Sequence, residues 1–260
     1  IGKAIGTFMD TGEIVVSRDM RTSSESLSAA LIKGITSTGT NVIDTGMVST
    51  PVNYFAIAKY GYGGGVMVTA SHNPPEYNGF KISREQARPL SSDTGIKEIE
   101  RLCNTGEFKV ADKPGEVIRK DVLEDYREHV LRFVDDIKPV KIVVDAGNGM
   151  AGKMIPFIFE KLPQVEVVDL YFELDGTFPN HEANPLKAEN LVDLQAKVKE
   201  VGADFGVAFD GDGDRSAYVD ENGQIITCDL ITALLAKAIL PKEPGATVIY
   251  DLRSSWIVPE

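Results

Sequence analysis

Cysteine, histidine and tryptophan are scarce in this chain of 260 residues, which contains two cysteines, three histidines and one tryptophan. Cys103 and Cys228 lie far apart in the sequence and lack metal-ligand spacing. We therefore expect reduced thiols rather than a disulfide framework or a thiolate metal site. The few histidines and the absence of a Gly-x-Ser-x-Gly segment argue against a serine that carries out acyl transfer.

Long apolar runs and an excess of positive charge are also missing. No apolar stretch reaches the ~18 residues of a membrane span, and the sequence shows no signal peptide. The formal net charge of −12 argues against nucleic acid or an anionic membrane as a partner. Because 43% of the residues are hydrophobic and 25% are charged, we expect a cytoplasmic globular protein of more than one domain.

Three aspartates alternate with glycine at 210–215, where the sequence reads Asp-Gly-Asp-Gly-Asp-Arg. Alternate residues on an extended backbone point the same way, so Asp210, Asp212 and Asp214 can converge on one point. Three carboxylates this close repel one another unless a cation lies among them. Oxygen-only ligands favour a hard divalent ion such as Mg²⁺ or Ca²⁺. The segment therefore predicts a divalent-metal site, of the kind that usually handles phosphate.

Two other interpretations of this segment compete with the metal site. Asp-Gly pairs often form solvated turns, and the acidic residues from Asp210 to Glu221 match those of an EF-hand calcium loop. An EF-hand, however, needs glycine where Arg215 stands and helices on both sides, whereas strand-like residues flank this loop. We therefore expect a metal loop between two strands, with calcium as an alternative ion.

A polar, proline-containing loop follows a short apolar strand at 63–68 and reads Thr69-Ala70-Ser71-His72-Asn73-Pro74. Reactive groups of α/β sheets lie beyond the carboxyl ends of strands, which makes Ser71 a candidate nucleophile. Ser71, His72 or Lys81 alone would be an ordinary loop or surface residue. Together with a carboxylate-bound metal they fit phosphoryl transfer, because that reaction depends on positioning and charge neutralisation.

These two segments together resemble the α-D-phosphohexomutase superfamily, in its phosphomannomutase and phosphoglucomutase branch. The loop at 69–74 is similar to the phosphoserine loop of that family, and the segment at 210–215 is similar to its magnesium loop. Three further segments extend the resemblance over nearly the whole chain: Ser17–Ser24 with its Arg-Asp-x-Arg-x-Ser pattern, Asp145–Gly149, and Phe178–Pro185 with Phe-Pro-Asn-His.

The resemblance implies a reversible transfer of phosphate between the C1 and C6 hydroxyls of a hexose phosphate, with mannose or glucose as the sugar. The transfer would pass through a phosphoserine enzyme and a bound hexose 1,6-bisphosphate. Matched onto this chain, the metal ligands for Mg²⁺ would be Ser71, Asp210, Asp212 and Asp214, and the catalytic residues would be Ser71, His72, Lys81, Arg21 and Arg215. Lys81 would be the general acid and base.

Strand-like and helix-like segments alternate along the chain, which predicts tandem similar α/β domains with mixed, mostly parallel sheets covered by helices. Strands are expected at 14–17, 63–68, 141–144, 165–170, 203–209 and 247–250. Helices are expected at 24–36, where serine would be the N-cap, and at 50–59, 121–136, 150–161, 187–201 and 229–240. The resemblance divides the chain into domain 1 with the phosphoserine loop (1–119), domain 2 with the metal loop (120–224) and the start of domain 3 (225–260).

A weak internal repeat supports this division. Turns beginning at Asp19, Asp145 and Asp251 each follow an apolar segment and continue into small or polar residues. The chain starts without methionine and its last unit breaks off, and the family has four domains. We therefore expect an N-terminal part of such an enzyme, lacking the first strand of domain 1 and active as a poor mutase by itself.

Two other functions remain open at this point. A non-catalytic metal-binding module would bind a divalent ion and leave Ser71 unmodified. A phosphatase would use Ser71 as a transient nucleophile and release phosphate to water.

Overall fold

The computed structural model describes all 260 residues, and its strands form two five-stranded sheets. The first sheet contains β1 (Glu13–Arg18), β2 (Asn41–Met47), β3 (Gly64–Val68), β4 (Phe80–Arg84) and β5 (Val117–Arg119) in the order β4-β3-β1-β2-β5. Only β4 runs antiparallel to its neighbour. The helices of this half are α1 (Gly2–Met9), α2 (Ser24–Thr36), α3 (Thr50–Tyr60) and α4 (Lys97–Thr105).

The second sheet contains β6 (Val140–Asp145), β7 (Val165–Leu170), β8 (Phe205–Phe209), β9 (Ser216–Asp220) and β10 (Ile225–Ile226) in the order β10-β9-β8-β6-β7. Strand β6 is parallel to β7 and β8, whereas β9 is antiparallel to β8 and β10. The remaining helices are α5 (Leu123–Leu131), α6 (Ala151–Phe159), α7 (Val192–Val201) and α8 (Cys228–Ile239). The predicted class, tandem α/β domains with mixed and mostly parallel sheets, is confirmed.

The central strand β1 is buried on both faces because its side chains alternate between two cores. Ile14 and Val16 pack against α1, α2 and α4 on one face. Val15 packs on the other face, against α3 and also against Met154 and Ile158 of α6. Helix α6 follows β6 of the second sheet, so this core joins the two domains.

Several predicted elements differ from the observed ones. No strand forms at 247–250, where Val248, Ile249 and Tyr250 are exposed, because no other strand lies alongside to pair with this segment. The helix predicted at 121–136 covers only Leu123–Leu131, and the one predicted at 187–201 begins as a 3₁₀ turn before α7. No side chain caps α2; the Ser24 hydroxyl instead donates to Asp19.

The turns at Asp19 and Asp145 follow β1 of the first sheet and β6 of the second, so each comes after a strand, as the internal repeat predicted. The third turn, at Asp251, follows no strand. No helix of the chain combines the length and apolar character that crossing a membrane requires.

Candidate active site

The loop that carries Ser71 connects β3 to β4 and turns sharply at its first residues. Ser71 has a φ of +54°, a conformation that costs a non-glycine residue about 1–3 kcal/mol. Two hydrogen bonds hold it: the Ser71 amide donates to Thr69 Oγ1 at 2.8 Å, and the Asn73 amide donates to the Ala70 carbonyl at 3.0 Å. The turn buries Ser71 at the carboxyl end of β3.

Arg21 lies beneath this loop and binds its backbone. Its guanidinium group donates four hydrogen bonds to loop carbonyls, those of Ser71 (2.9 Å), Asn73 (2.6 Å), Pro74 (2.8 Å) and Tyr77 (3.0 Å). Its remaining nitrogen, Nε, lies 3.4 Å from Asp19 Oδ2. Burial lowers the pKa of Arg21, while Asp19 raises it. The structure thus places Arg21 as a support of the loop.

The metal-loop segment is the hairpin between β8 and β9. The Asp210 amide donates to the Arg215 carbonyl, and Asp210 Oδ1 accepts from the amides of Asp214 and Arg215 at 3.0 Å each. One oxygen from each of Asp210, Asp212 and Asp214 lies within 4.8 Å of the other two. The carboxylates therefore converge because the backbone turns tightly, and not because it is extended. The strands on both sides confirm that this is no EF-hand.

The two loops meet at Ser71. Ser71 Oγ donates to Asp210 Oδ2 at 2.8 Å and accepts from Arg215 Nη2 at 3.2 Å. Gly211 lies against the same loop: a Cβ atom placed on it would lie 2.5 Å from the Ser71 carbonyl oxygen. Because glycine has no side chain, it permits this close approach between the loop of Ser71 and the loop of the three aspartates.

Comparison with known proteins agrees with this geometry. The family profiles described as "Phosphoglucomutase/phosphomannomutase, alpha/beta/alpha domain I" and "domain II" match residues 1–110 and 124–223. The chain belongs to the phosphoglucomutase/phosphomannomutase family.

Individual relatives show the same relationship. The chain is 44% identical to a phosphomannomutase of Salmonella montevideo, over 98% of this chain and 58% of the relative. It is 45% identical to a protein named phosphohexose mutases from Xanthomonas campestris pv. campestris (strain B100), over 98% of this chain and 57% of that protein. A family protein from Burkholderia thailandensis has a crystal structure that matches with a TM-score of 0.91 at 36% identity, covering 99% of this chain and 59% of the other. The chain thus spans a little over half the length of these family members.

Lys81 is the positively charged side chain that lies nearest the three aspartates. It lies on β4, and its Nζ is 2.6 Å from Asp212 Oδ2 and 2.6 Å from Asp214 Oδ2. Burial acts to lower the pKa of Lys81, but the charge of Asp212 and the hydrogen bonds to both carboxylates outweigh it, so the pKa is raised. Lys81 is therefore an ammonium that neutralises the cluster.

The pKa values of Asp210 and Asp212 shift in opposite directions. Burial raises the pKa of Asp210 to about 7, with further contributions from the charges of Asp212 and Asp214. Burial acts in the same direction on Asp212, but the Lys81 ammonium and the hydrogen bonds that Asp212 accepts lower its pKa overall. Asp212 Oδ1 is buried and has no hydrogen-bond partner. An orphaned carboxylate oxygen beside two further carboxylates fits a divalent cation with oxygen ligands.

His72 and Arg215 form a pair beside the serine. Arg215 Nη1 lies 2.8 Å from His72 Nδ1. Burial and the Arg215 charge lower the pKa of His72, so its imidazole is neutral near pH 7 and accepts at Nδ1. The structure thus gathers Ser71, His72, Lys81, Arg215 and the three aspartates around one point, with Arg21 behind the loop.

Thr50 is a site residue that the sequence interpretation missed. It begins α3, and its hydroxyl donates to Asp212 Oδ2 while its amide donates to the Asp212 carbonyl at 3.0 Å. The sequence indicated only a helix start here, since Pro51 follows at a first-turn position. No local pattern reveals a contact between residues 162 positions apart.

Proposed function

We propose that this chain provides the phosphoserine and metal-binding parts of a phosphohexomutase. The reaction is reversible transfer of phosphate between the C1 and C6 hydroxyls of mannose or glucose phosphate, with hexose 1,6-bisphosphate as intermediate and activator. The observation that carries the proposal is the 2.8 Å hydrogen bond from Ser71 Oγ to Asp210 Oδ2, which unites a candidate nucleophile with a carboxylate cluster. The relatives named as phosphomannomutase and phosphohexose mutases support the same reaction.

Ser71 is the phosphate carrier in this proposal. Its Oγ gives its proton to Asp210 Oδ2, to which it is hydrogen-bonded, and forms a bond to phosphorus. The bond from phosphorus to the sugar oxygen breaks at the same time, and the sugar oxygen takes up a proton from Lys81. Arg215 donates to Ser71 Oγ and lies where charge develops on the transferring group. Arg21 holds the loop so that Ser71 keeps its position throughout the transfer.

Ser71, Asp210, Asp212 and Asp214 would hold Mg²⁺, for which the orphaned Asp212 Oδ1 is the supporting observation. Mg²⁺ when bound polarises phosphoryl oxygens and neutralises charge. Lys81 is the general acid that protonates the sugar oxygen, since its raised pKa keeps it charged. It can accept a proton in the reverse direction only when its contacts with Asp212 and Asp214 weaken. His72, neutral and hydrogen-bonded to Arg215, can relay a proton.

The proposal extends to the organisation of the whole protein. We place domain 1 at 1–119 and domain 2 at 120–224, with 225–260 as the start of a third domain, because the two sheets are separated at 119–140. We also propose a cytoplasmic location, which is supported by two free cysteines and the acidic composition.

Mass spectrometry tests the proposed function directly. The phosphatase-treated chain is incubated with Mg²⁺ and glucose 1,6-bisphosphate, and its intact mass and tryptic peptides are measured. We expect one added phosphate on Ser71, lost in Ser71→Ala and on chelation of the metal. Ser26→Ala, which removes an exposed hydroxyl on α2, is the control and should be labelled normally.

Other outcomes lead to other functions. A bare Ser71 with metal bound would contradict the proposal and favour the metal-binding module. Continuous release of inorganic phosphate from glucose 1-phosphate would favour a phosphatase.

A further inference from the structure

The segment around Phe178 in domain 2 reaches across to the loop of Ser71 in domain 1. The Phe178 ring covers the guanidinium of Arg21, with 4.9 Å from Arg21 Cζ to the ring centroid. Phe178 is buried, and its Cζ would lie 3.5 Å from a Cβ atom on Gly211. The ring thus lies between Arg21, which supports the loop of Ser71, and the backbone of the metal loop at Gly211.

Arg21 depends on this ring for its remaining contact. Its terminal nitrogens donate to four loop carbonyls, and its Nε faces Asp19. With these groups committed in its plane, the flat face of the guanidinium is the surface left to pack, and an aromatic ring is its most favourable cover. The orientation of Arg21 therefore depends on both domains.

The backbone conformation of the segment places the Phe178 ring against Arg21. Phe178 has a φ of +51°, which is rare for a bulky side chain. Its amide donates to the Asp175 carbonyl at 3.1 Å. Gly176 lies so close to Arg21 that an added Cβ would be 2.7 Å from Arg21 Cα. A rare conformation kept at such a place indicates a positional requirement.

Polar contacts on both sides anchor the segment to domain 2. The Asp175 amide donates to the Asn148 carbonyl at 3.1 Å, and Asn180 Nδ2 donates to Asn148 Oδ1 at 2.9 Å. His181 Nε2 lies 3.0 Å from Asp145 Oδ2. The ring is thereby fixed to the turn that follows β6, which lies between β8 and β7 in the second sheet.

We propose that Phe178 is a positioning residue that couples domain 2 to the loop of Ser71 through Arg21. It acts by fixing the guanidinium that holds the loop carbonyls. The inference rests on the proposed function for its catalytic consequence, but the coupling itself is a property of the folded chain.

Hydrogen exchange measures the coupling between Phe178 and the loop of Ser71 and does not require an activity assay. The amides of Asn73 and Tyr77 are bonded within the loop and report its opening. In Phe178→Leu, which keeps apolar bulk and removes the ring face, we expect exchange of the 70–78 peptide to rise about tenfold. Lys153→Met is the matched control, because it removes another contact between the domains, the 2.7 Å bond from Lys153 Nζ to the Met47 carbonyl, without touching Arg21.

A double-mutant cycle separates coupling from general loosening of the interface. If Phe178 acts through Arg21, adding Phe178→Leu to Arg21→Lys should raise exchange less than about twofold further. The proposal is overturned if Phe178→Leu has the same large effect in both backgrounds, or if it exchanges like wild type. Should Arg21→Lys not fold, the comparison of Phe178→Leu with Lys153→Met decides the question.

The catalytic consequence is read from Ser71 phosphorylation by the bisphosphate. Phe178→Leu should lower the saturating rate about tenfold while the half-saturating concentration changes little, because it displaces the serine without removing a ligand contact. An unchanged rate would remove the catalytic part of the inference. Absence of labelling in the wild type would instead contradict the proposed function and leave the exchange result standing.

Discussion

At the scale of single residues, Lys81 has two tasks that compete for the same ammonium group. It pairs with Asp212 and Asp214 at 2.6 Å, and the proposed chemistry needs it to give a proton to substrate. A divalent ion among the carboxylates would replace its charge and release it. Under the proposed function, metal binding and proton transfer would thereby be linked through one side chain.

Lys81→Met tests this link through stability. Without metal, the variant leaves Asp212 buried with its charge uncompensated, so we expect the free energy of unfolding to fall by about 2 kcal/mol, discounted because Lys81 is partly exposed. Mg²⁺ should restore more stability to the variant than to the wild type. Urea unfolding in chelator and in Mg²⁺ measures both effects. Lys97→Met, which removes an exposed pair with Asp93, is the control and should change neither the stability in chelator nor the gain from Mg²⁺. Equal stability of Lys81→Met and wild type in chelator would contradict the prediction.

The contacts of His181 predict a pH-dependent contribution to stability. Its Nδ1 faces the Glu182 carbonyl and its Nε2 faces Asp145, so both nitrogens are best satisfied as donors. Burial acts to lower the pKa of His181, but the bond and charge of Asp145 outweigh it and raise the pKa above 6.5. A raised pKa stabilises the fold fully below the unfolded value, and this contribution is lost as pH rises through the folded value.

We therefore expect His181 to lower the melting temperature of the wild type as pH rises above about 6.5, the histidine value in the unfolded chain, and His181→Gln to lose this part of the slope. Thermal unfolding at a series of pH values above and below that value measures it. His129→Gln is the control. Because burial lowers the pKa of His129, this residue titrates at lower pH, and its replacement should leave the fall of melting temperature at higher pH unchanged. An identical alkaline slope in wild type and His181→Gln would show that the Asp145 pair does not contribute.

At the scale of elements, the backbone of the β8–β9 hairpin packs closely against the loop of Ser71. Gly211 makes this possible, because any side chain there would meet backbone atoms that cannot move aside without shifting the loop. Backbone-to-backbone packing transmits position more rigidly than flexible side chains do.

Gly211→Ala should destabilise the chain by about 2 kcal/mol, because its Cβ would lie 2.5 Å from the Ser71 carbonyl oxygen. Gly12→Ala is the matched control, since nothing lies within 4 Å of a Cβ there. Urea unfolding compares the two variants, and equal stability would show that the loops separate easily.

At the scale of the whole molecule, the two sheets share a core. Met154 and Ile158 of α6 pack with Val15, Ile43 and Val52 of the first half. Residues from one domain thus complete the hydrophobic surface of the other, in addition to the polar contacts at Thr50 and Lys153. We expect the two sheets to unfold together.

Met154→Ala should lower the free energy of unfolding by about 3 kcal/mol and shift a single transition, because the cavity lies in the shared core. Calorimetry, with circular dichroism and tyrosine fluorescence as independent probes, measures the transition. Leu186→Ala, at a side chain that is 63% exposed, should have little effect. Two transitions, only one of them shifted by Met154→Ala, would show that the domains unfold separately.

Local patterns predicted the elements and loops better than the contacts between them. Strand β7 and helix α2 have the predicted bounds, because their periodicity and neighbouring turn residues are local signals. The strand at 247–250 was wrong because a strand needs a partner, which periodicity cannot supply. Arg21 was predicted as a catalytic residue, and the structure shows its guanidinium bound to loop carbonyls more than 50 positions away.

The sequence by itself determined what depends on neighbours along the chain. The same turn forms after Asp19, Asp145 and Asp251, each carboxylate accepting the amide two residues later, even where no strand precedes it. Tertiary structure alone decided that Ser71 meets Asp210, 139 positions away, and that Phe178 covers Arg21. The physical reason is that a turn needs only its own hydrogen bonds, whereas the site exists only once burial of the shared core brings the two sheets together.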